Sequence, residues 1–406
     1  MGAASGCGGR LHRRGHGRPL HPHPPPPPIK IEQAGGECAG DSATDVNHGG
    51  RIGSRATIVD ALASPPDEPL RFGVIGYGYW GPNLARNFAE LPGAALTAVA
   101  DQSPLRREAA KRRFPWVTVH GQASDLIRNP NVDAVAVATP VVTHYMLAQA
   151  ALEAGKHVLV EKPISTSSEE VLHLIEEAER RGLVLMVDHT FVYTGAVRKI
   201  HDLVQQGTLG QLYYYDSVRA NLGLFQTDVN VMWDLGVHDL SIIDRVMAYK
   251  PTAVAAHAFS HVPGHPANIA YITLRFPENQ VAHLHVNWLA PVKVRTTLIS
   301  GSASMIVYND VEPSEKVKTY DKGAMVEGDP QDRYQQLVKY RLGDMSAPQL
   351  DTTEALSVEI AHFIDCVRRG SAPLTDGWSG YRVVKILEAA ERSSAAEGQL
   401  VALNWD

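Results

Sequence analysis

Arg71-Phe-Gly-Val-Ile-Gly76-Tyr77-Gly78-Tyr79-Trp80-Gly81-Pro82 is the stretch that decides the fold. A short apolar run ends in glycine, and Leu84, Phe88 and Leu91 then recur at helical spacing, so a strand passes through a tight turn into a helix. Within the G-x-G-x-x-G pattern, Gly76 permits the turn, Gly78 lets the backbone approach a pyrophosphate, and Gly81 lets helix and strand pack closely. Pro82 suits a first helical turn. The helix start offers unpaired N–H groups and a positive dipole end to phosphates. Leu96 to Ala100 reads as the next strand and ends at Asp101, 20 residues after Gly81. A carboxylate there accepts hydrogen bonds from adenosine ribose hydroxyls and repels a 2′-phosphate. The expected ligand is NAD rather than NADP, a preference that Arg106 and Arg107 could soften.

Outward from this stretch the pattern continues. Residues 104–113 look helical, Val132 to Ala138 is a continuous apolar strand, 144–155 a helix and Val158-Leu-Val160 a buried strand. Thr166-Ser-Ser-Glu169 reads as a capping box opening a helix that ends near Gly182, and Leu183 to Val187 as one more strand. This alternation predicts a doubly wound α/β Rossmann domain over residues 70–189. The second half differs. After a helix near 196–206, Leu212 to Ala220 alternates like a strand, and a helix runs from about Trp233 to Met247. Strand-like runs follow at 253–260, 268–276, 280–289, 293–300, 303–308 and 315–320, and helices at about 353–369 and 379–396 close the chain. Short connections imply an antiparallel meander, so residues 190–406 are expected to form an α+β substrate-binding and oligomerisation domain with an open antiparallel sheet.

The remaining sequence bounds the function. A chain of 406 residues with 44% hydrophobic and 20% charged residues suits two globular domains. No apolar run is long enough to span a bilayer, and a net charge of -6 argues against a general nucleic-acid binder. Cys7, Cys38 and Cys366 lack metal-ligand spacing, so neither a disulfide framework nor a metal site is expected, and a reducing, cytoplasmic location follows. Residues 1–69, with a proline run from Pro24 to Pro28 and basic residues at the start, read as a disordered extension. Arg13-Arg14 lacks the apolar stretch that an export signal needs after it.

Two constellations carry chemistry. Glu161-Lys162-Pro163 directly follows the strand His157-Val-Leu-Val160, at the carboxyl end where open α/β sheets gather ligands. A lysine there can stabilise a developing alkoxide, and Pro163 can fix the backbone, in cis if the turn requires it. The local sequence equally fits a surface Lys-Glu pair closing a strand. Asp234 and His238 stand four apart on the expected helix and share a face. They suit either a hydroxyl-binding acid with a proton-accepting imidazole, or a helix cap with a core histidine.

Together these residues resemble the glucose-fructose oxidoreductase / inositol dehydrogenase / rhizopine catabolism family (Gfo/Idh/MocA) over about residues 70–403. The motifs are Gly76-x-Gly78-x-x-Gly81, Ala138-Thr139-Pro140 with His144, Glu161-Lys162-Pro163, and Asp234-Leu-Gly-Val-His238, jointly specific in order and spacing. The resemblance implies an NAD(P)-dependent dehydrogenase or reductase in which Lys162 polarises the reacting hydroxyl, His238 is the general base and Asp234 holds the substrate. It places Thr139 and Pro140 beside the cofactor, His144 at the start of the next helix and Glu161 by the nicotinamide ribose, with Tyr77, Tyr79 and Trp80 in the phosphate-binding loop. Many relatives have a glycine-rich stretch where this chain has Asp228-Val-Asn-Val-Met-Trp233, so their substrates do not transfer directly. Gly76 to Asn83 and Arg219-Ala-Asn221 resemble members linked to nucleotide-sugar metabolism, which points to a sugar, polyol or nucleotide sugar, oxidised at a 3-hydroxyl. Tyr193, Arg219, Asn221, Asn230 and Trp233 are candidate substrate contacts, each with a structural role as the alternative. Two other functions fit the resemblance. One is an NAD-dependent glycoside hydrolase acting by transient C3 oxidation, and the other a non-catalytic NAD sensor, which the intact acid–base residues count against. Pairing across the open sheet, as relatives do, implies a homodimer or homotetramer.

Overall fold

The computed structural model describes residues 68–223, 228–321, 323–327, 337–341 and 343–405, so the proposed extension, with Cys7 and Cys38, lies almost wholly outside the described residues. The first layer is built from β1 (Leu70–Ile75), α1 (Gly81–Glu90), β2 (Ala94–Ala100), α2 (Pro104–Arg113), β3 (Thr118–His120), α3 (Ala123–Ile127), β4 (Ala134–Val137), α4 (His144–Glu153), β5 (His157–Glu161), α5 (Ser168–Arg181) and β6 (Leu185–Asp188). Its six strands are parallel in the order β3-β2-β1-β4-β5-β6. The order reverses between β1 and β4, the crevice where such sheets take ligands. β4 is buried along its whole length, which is why its sequence shows no alternation. The expected capping box is displaced by one residue. Ser167, not Thr166, caps α5 by accepting from the Glu170 N–H at 3.4 Å, while the Glu170 carboxylate turns to the Ser165 hydroxyl. β3 and α3 were not anticipated, being too short to show a period.

The second layer comprises α6 (Gly195–Gln205), β7 (Leu212–Leu222), α7 (Val237–Val246), β8 (Ala253–Phe259), β9 (Ile269–Arg275), β10 (Val281–Asn287), β11 (Leu289–Gly301), β12 (Met305–Asn309), β13 (Val317–Tyr320), a separate hairpin of β14 (Gly323–Glu327) and β15 (Leu337–Arg341), β16 (Met345–Ser346), α8 (Ala355–Arg369), α9 (Gly377–Ala395) and β17 (Val401–Ala402). Nine of these strands form one sheet in the order β16-β13-β12-β11-β7-β10-β9-β8-β17. This is a mixed sheet rather than the expected simple meander. β7 inserts between β11 and β10 and runs parallel to β10, because the chain leaves β7 through α7 before β8, β9 and β10 are laid down. β8-β9-β10 and β11-β12-β13 are antiparallel as expected. The inner face carries Ala270, Ile272 and Leu274 of β9, and Ala282, Leu284 and Val286 of β10, into a core shared with α7 and α9.

The chain's end returns to the first layer. Leu356, Ile360 and Phe363 of α8 join the apolar cluster of β1 and α1, where Phe72 stacks on Phe88 at 4.0 Å and meets Phe363 at 5.8 Å. Thr375 then covers the free edge of β6: its carbonyl accepts from the Val187 N–H, and its hydroxyl donates to the Val187 carbonyl, both at 2.8 Å. No helix among the described residues is long and apolar enough to cross a membrane.

Candidate active site

A cleft of about 1430 Å³ opens beyond the carboxyl ends of β1, β4, β5 and β6 and is closed from the other side by β7, β11 and the start of α7. At one end is the glycine turn. Gly76 has φ +93°, and a Cβ there would lie 2.3 Å from the Ala138 carbonyl oxygen; a Cβ on Gly81 would lie 2.0 Å from that of Gly76. Both are glycines for packing reasons. Gly78 differs: the nearest protein atom to a Cβ is the Arg106 guanidinium, 3.7 Å away, so the missing side chain leaves room in the cleft instead. No side chain caps α1, and its N-terminus stays available to phosphates.

Asp101, 9% exposed, follows β2. One carboxylate oxygen accepts from the Tyr77 N–H at 2.7 Å, the other from the Ser103 N–H at 2.8 Å, and Arg106 stands 3.6 Å off. Two backbone bonds fix the acid and leave it lone pairs facing the cleft, as a ribose diol requires. The residues fit a dinucleotide: a bare glycine turn, an uncapped helix and a held carboxylate lie along one wall.

Two expected cofactor contacts act differently. Tyr77 is 6% exposed and packs in the core of the first layer, so it serves through its backbone. His144 is 1% exposed, with Nδ1 2.8 Å from the Pro163 carbonyl and Nε2 2.8 Å from that of Thr139. It ties two stretches of cleft wall together rather than offering a free nitrogen. His144 also lines the cleft, as do Thr139, Pro140, Tyr79 and Trp80, and the Trp80 indole donates to Asp188 at 2.8 Å. Glu161 and Asp188 are register partners at the ends of β5 and β6; burial, then Asp188, pushes the Glu161 carboxyl well above its usual range.

The opposite end gathers the candidate reactive groups. The Lys162-Pro163 bond is cis. Lys162 Nζ donates to the Asp234 carbonyl at 2.9 Å and to its carboxylate at 3.1 Å. The second carboxylate oxygen accepts from the Trp288 indole at 3.0 Å. The expected helix here opens with one π-helical turn, Met232–Gly236, before α7 proper, so Asp234 and His238 do not sit on one regular helix face. Such turns recur at functional sites. Lys162, Asp234 and His238 nevertheless line the same cleft. The His238 Nδ1 is buried and unpartnered, and Phe191 meets the ring edge-on at 4.8 Å. Burial pushes this imidazole well below its usual value, and Lys162, Arg219, His189 and Arg295 push the same way, so it is unprotonated at neutral pH.

The proposed substrate contacts divide. Asn221 and Trp233 line the cleft. Tyr193 does not: it is fully buried, with its hydroxyl 3.3 Å from that of Thr375, because its short 3-10 turn packs under α8. Asn230 is a turn residue whose side chain accepts from the Met232 N–H and donates to Glu391. Arg219 is 3% exposed and spends Nε and Nη2 on Asp239. Sequence reasoning missed Phe191, Arg295, Asp188 and Trp288. Asp188 could have been found as the strand-end residue beside Glu161; nothing local marks the others.

Fold and cleft define a dinucleotide-dependent oxidoreductase. Residues 70–189 match the NAD-binding Rossmann fold of the GFO_IDH_MocA oxidoreductase family, and residues 197–307 the GFO/IDH/MocA C-terminal domain. The chain belongs to the Gfo/Idh/MocA family and is an NAD(P)-dependent oxidoreductase. It is 28% identical over 328 residues to the UDP-N-acetylglucosamine 3-dehydrogenase of Acidithiobacillus ferrooxidans, covering 78% of this chain and 94% of the relative. To the myo-inositol 2-dehydrogenase of Thermotoga maritima it is 25% identical over 335 residues, covering 80% and 96%. A structure of levoglucosan dehydrogenase with NADH and levoglucosan superposes with a TM-score of 0.71 at 20% identity, over 84% of this chain and 100% of the other.

Proposed function

We propose that the protein transfers a hydride between NAD and a secondary alcohol of a nucleotide-linked sugar, at the 3-hydroxyl. The observation that supports this reading is the convergence of Lys162, Asp234 and His238 in the cleft that also holds the glycine turn and Asp101. Lys162 has three N–H donors and spends two on Asp234. The third serves the substrate hydroxyl and stabilises the oxyanion as it forms. Asp234, fixed by Trp288, keeps the ammonium in place. The neutral His238 takes the hydroxyl proton. The bound cofactor supplies the hydride acceptor. The nucleotide-sugar assignment draws on the UDP-N-acetylglucosamine 3-dehydrogenase relative.

The double variant Lys162→Ala/His238→Ala tests the assignment. NADH formation across a panel of sugars, polyols and nucleotide sugars is expected to vanish while NAD affinity, followed by fluorescence titration, changes less than about threefold. Loss of NAD binding with the activity would contradict the separate roles given to the two ends of the cleft.

A further inference from the structure

Two arginines stand directly opposite each other on the cleft-facing side of the second sheet. Arg219 of β7 and Arg295 of β11 are register partners in an antiparallel pair. Like charges in that position destabilise a sheet. Each guanidinium has its own carboxylate: Arg219 is bidentate to buried Asp239 at 2.8 and 3.2 Å, and Arg295 Nη1 donates to Asp310 at 3.1 Å. The buried Arg219–Asp239 pair adds little net stability, so folding alone does not explain the arrangement.

Donor capacity is left over. Arg219 Nη1 and Arg295 Nε are both buried, and neither meets an acceptor. Buried polar groups are normally satisfied, and an unsatisfied donor on a cation favours an anionic acceptor. Both guanidinia lie over the Phe191 ring, at 4.5 Å for Arg219 and 5.6 Å for Arg295, and the ring edge meets His238. Arg295 lines the cleft and Arg219 does not, so Arg295 is the group a ligand can reach, with Phe191 and Arg219 behind it. Asp310 also accepts from Lys316 at 3.2 Å, which leaves the corner one positive charge in excess over Asp239 and Asp310. Asp228, Glu161 and Asp188 also line the cleft without an ion pair among the described residues, and Asp228 is within electrostatic reach of His144, toward the cofactor side.

We infer that Arg295 binds a carboxylate carried by the substrate's own sugar ring, beside the alcohol whose proton His238 accepts. The proposal rests on the sugar-dehydrogenase reading of the cleft. Arg295 and His238 both contact the Phe191 ring, at 5.6 Å and 4.8 Å from its centroid, which brings a cation and a proton acceptor to the same end of the cleft. The planar fork of an arginine suits a carboxylate, which it can bind through two parallel N–H bonds.

The test uses the full chain saturated with NADH and titrated calorimetrically with UDP-N-acetylglucosaminuronic acid, UDP-N-acetylglucosamine, D-glucuronate, D-glucose and D-glucose 6-phosphate. Each uronate is expected to bind at least about tenfold tighter than its neutral partner. Arg295→Gln should erase that gap, Arg295→Lys should restore part of it, and NADH affinity should stay unchanged in both. Lys316 still pairs with Asp310 in these variants, so the corner keeps a counterion. Failure of either uronate to bind better than its neutral partner, or a preference surviving in Arg295→Gln, overturns the subsite. Tighter binding of the 6-phosphate than of glucuronate, lost in Arg295→Gln, also overturns it, in favour of a phosphate subsite. Turnover with NAD decides the underlying reading separately. Bound NAD with no NADH formed from any probe counts against the dehydrogenase, whatever the titrations give.

Discussion

At the scale of single residues, the cleft works by denying side chains their ordinary partners. Asp101 is held by two backbone N–H groups, with Arg106 3.6 Å away, and lines the cleft where the ribose contact is proposed. Asp101→Ala is therefore expected to narrow the preference for NAD over NADP by about tenfold or more, with Arg106 then free to meet a 2′-phosphate. Steady-state kinetics with both cofactors measures this, and an unchanged ratio would refute the ribose contact. Lys162, Asp234 and His238, which line one cleft, stand out in the sequence as candidates because strand end, proline and helix start bracket them. Arg295 was not: a lone basic residue in a strand carries no signal until β7 is laid beside it, and then it stands opposite Arg219.

At the scale of elements, the turns and caps matter most. The helix caps are readable from sequence only to within a residue, as α5 shows, since Thr166 and Ser167 are chemically equivalent candidates and packing chooses between them. Replacing Ser167 with Ala should cost about 1 kcal/mol, and replacing Thr166 with Ala should cost little. Chemical denaturation of the two variants distinguishes them, and equal losses would place the cap elsewhere. The π-helical turn at Met232–Gly236 is a second such case. The spacing of Asp234 and His238 suggests a regular helix, yet the wider turn re-aims the aspartate toward Lys162 and Trp288. The buried positions of β9 and β10 follow the period of two that their sequences show, because one face of that sheet meets helices and the other does not.

At the scale of the whole molecule, buried groups titrate in opposite senses. His189 is 1% exposed with both ring nitrogens unpartnered, and burial lowers its pKa to about 3. The unfolded chain protonates this histidine near 6.5, whereas the folded protein does not until about 3, so its contribution erodes stability by about 1.4 kcal/mol per unit as pH falls through that window. Glu161 and Glu359 oppose it. Burial raises both carboxyls, the folded state holds their protons to higher pH, and stability from them is lost as pH rises above the unfolded value. His189→Leu should therefore gain stability relative to the parent increasingly from pH 7 to pH 5 in urea unfolding. Parallel curves would show that His189 is not held neutral by the fold.

The sequence by itself determined the dinucleotide turn, the parallel first layer, and membership of an oxidoreductase family, and it singled out Lys162 and His238 as candidates. These are local or periodic properties, written in adjacent residues and repeated spacings. Only the tertiary structure decided that β7 inserts beside β10, that α8 completes the first layer through Phe363, that Tyr193 is buried against Thr375 and Asn230 pairs with Glu391, and that Arg295 lines the cleft. Those facts depend on which distant segments are neighbours, and that is settled by the burial of whole faces rather than by any short run of residues.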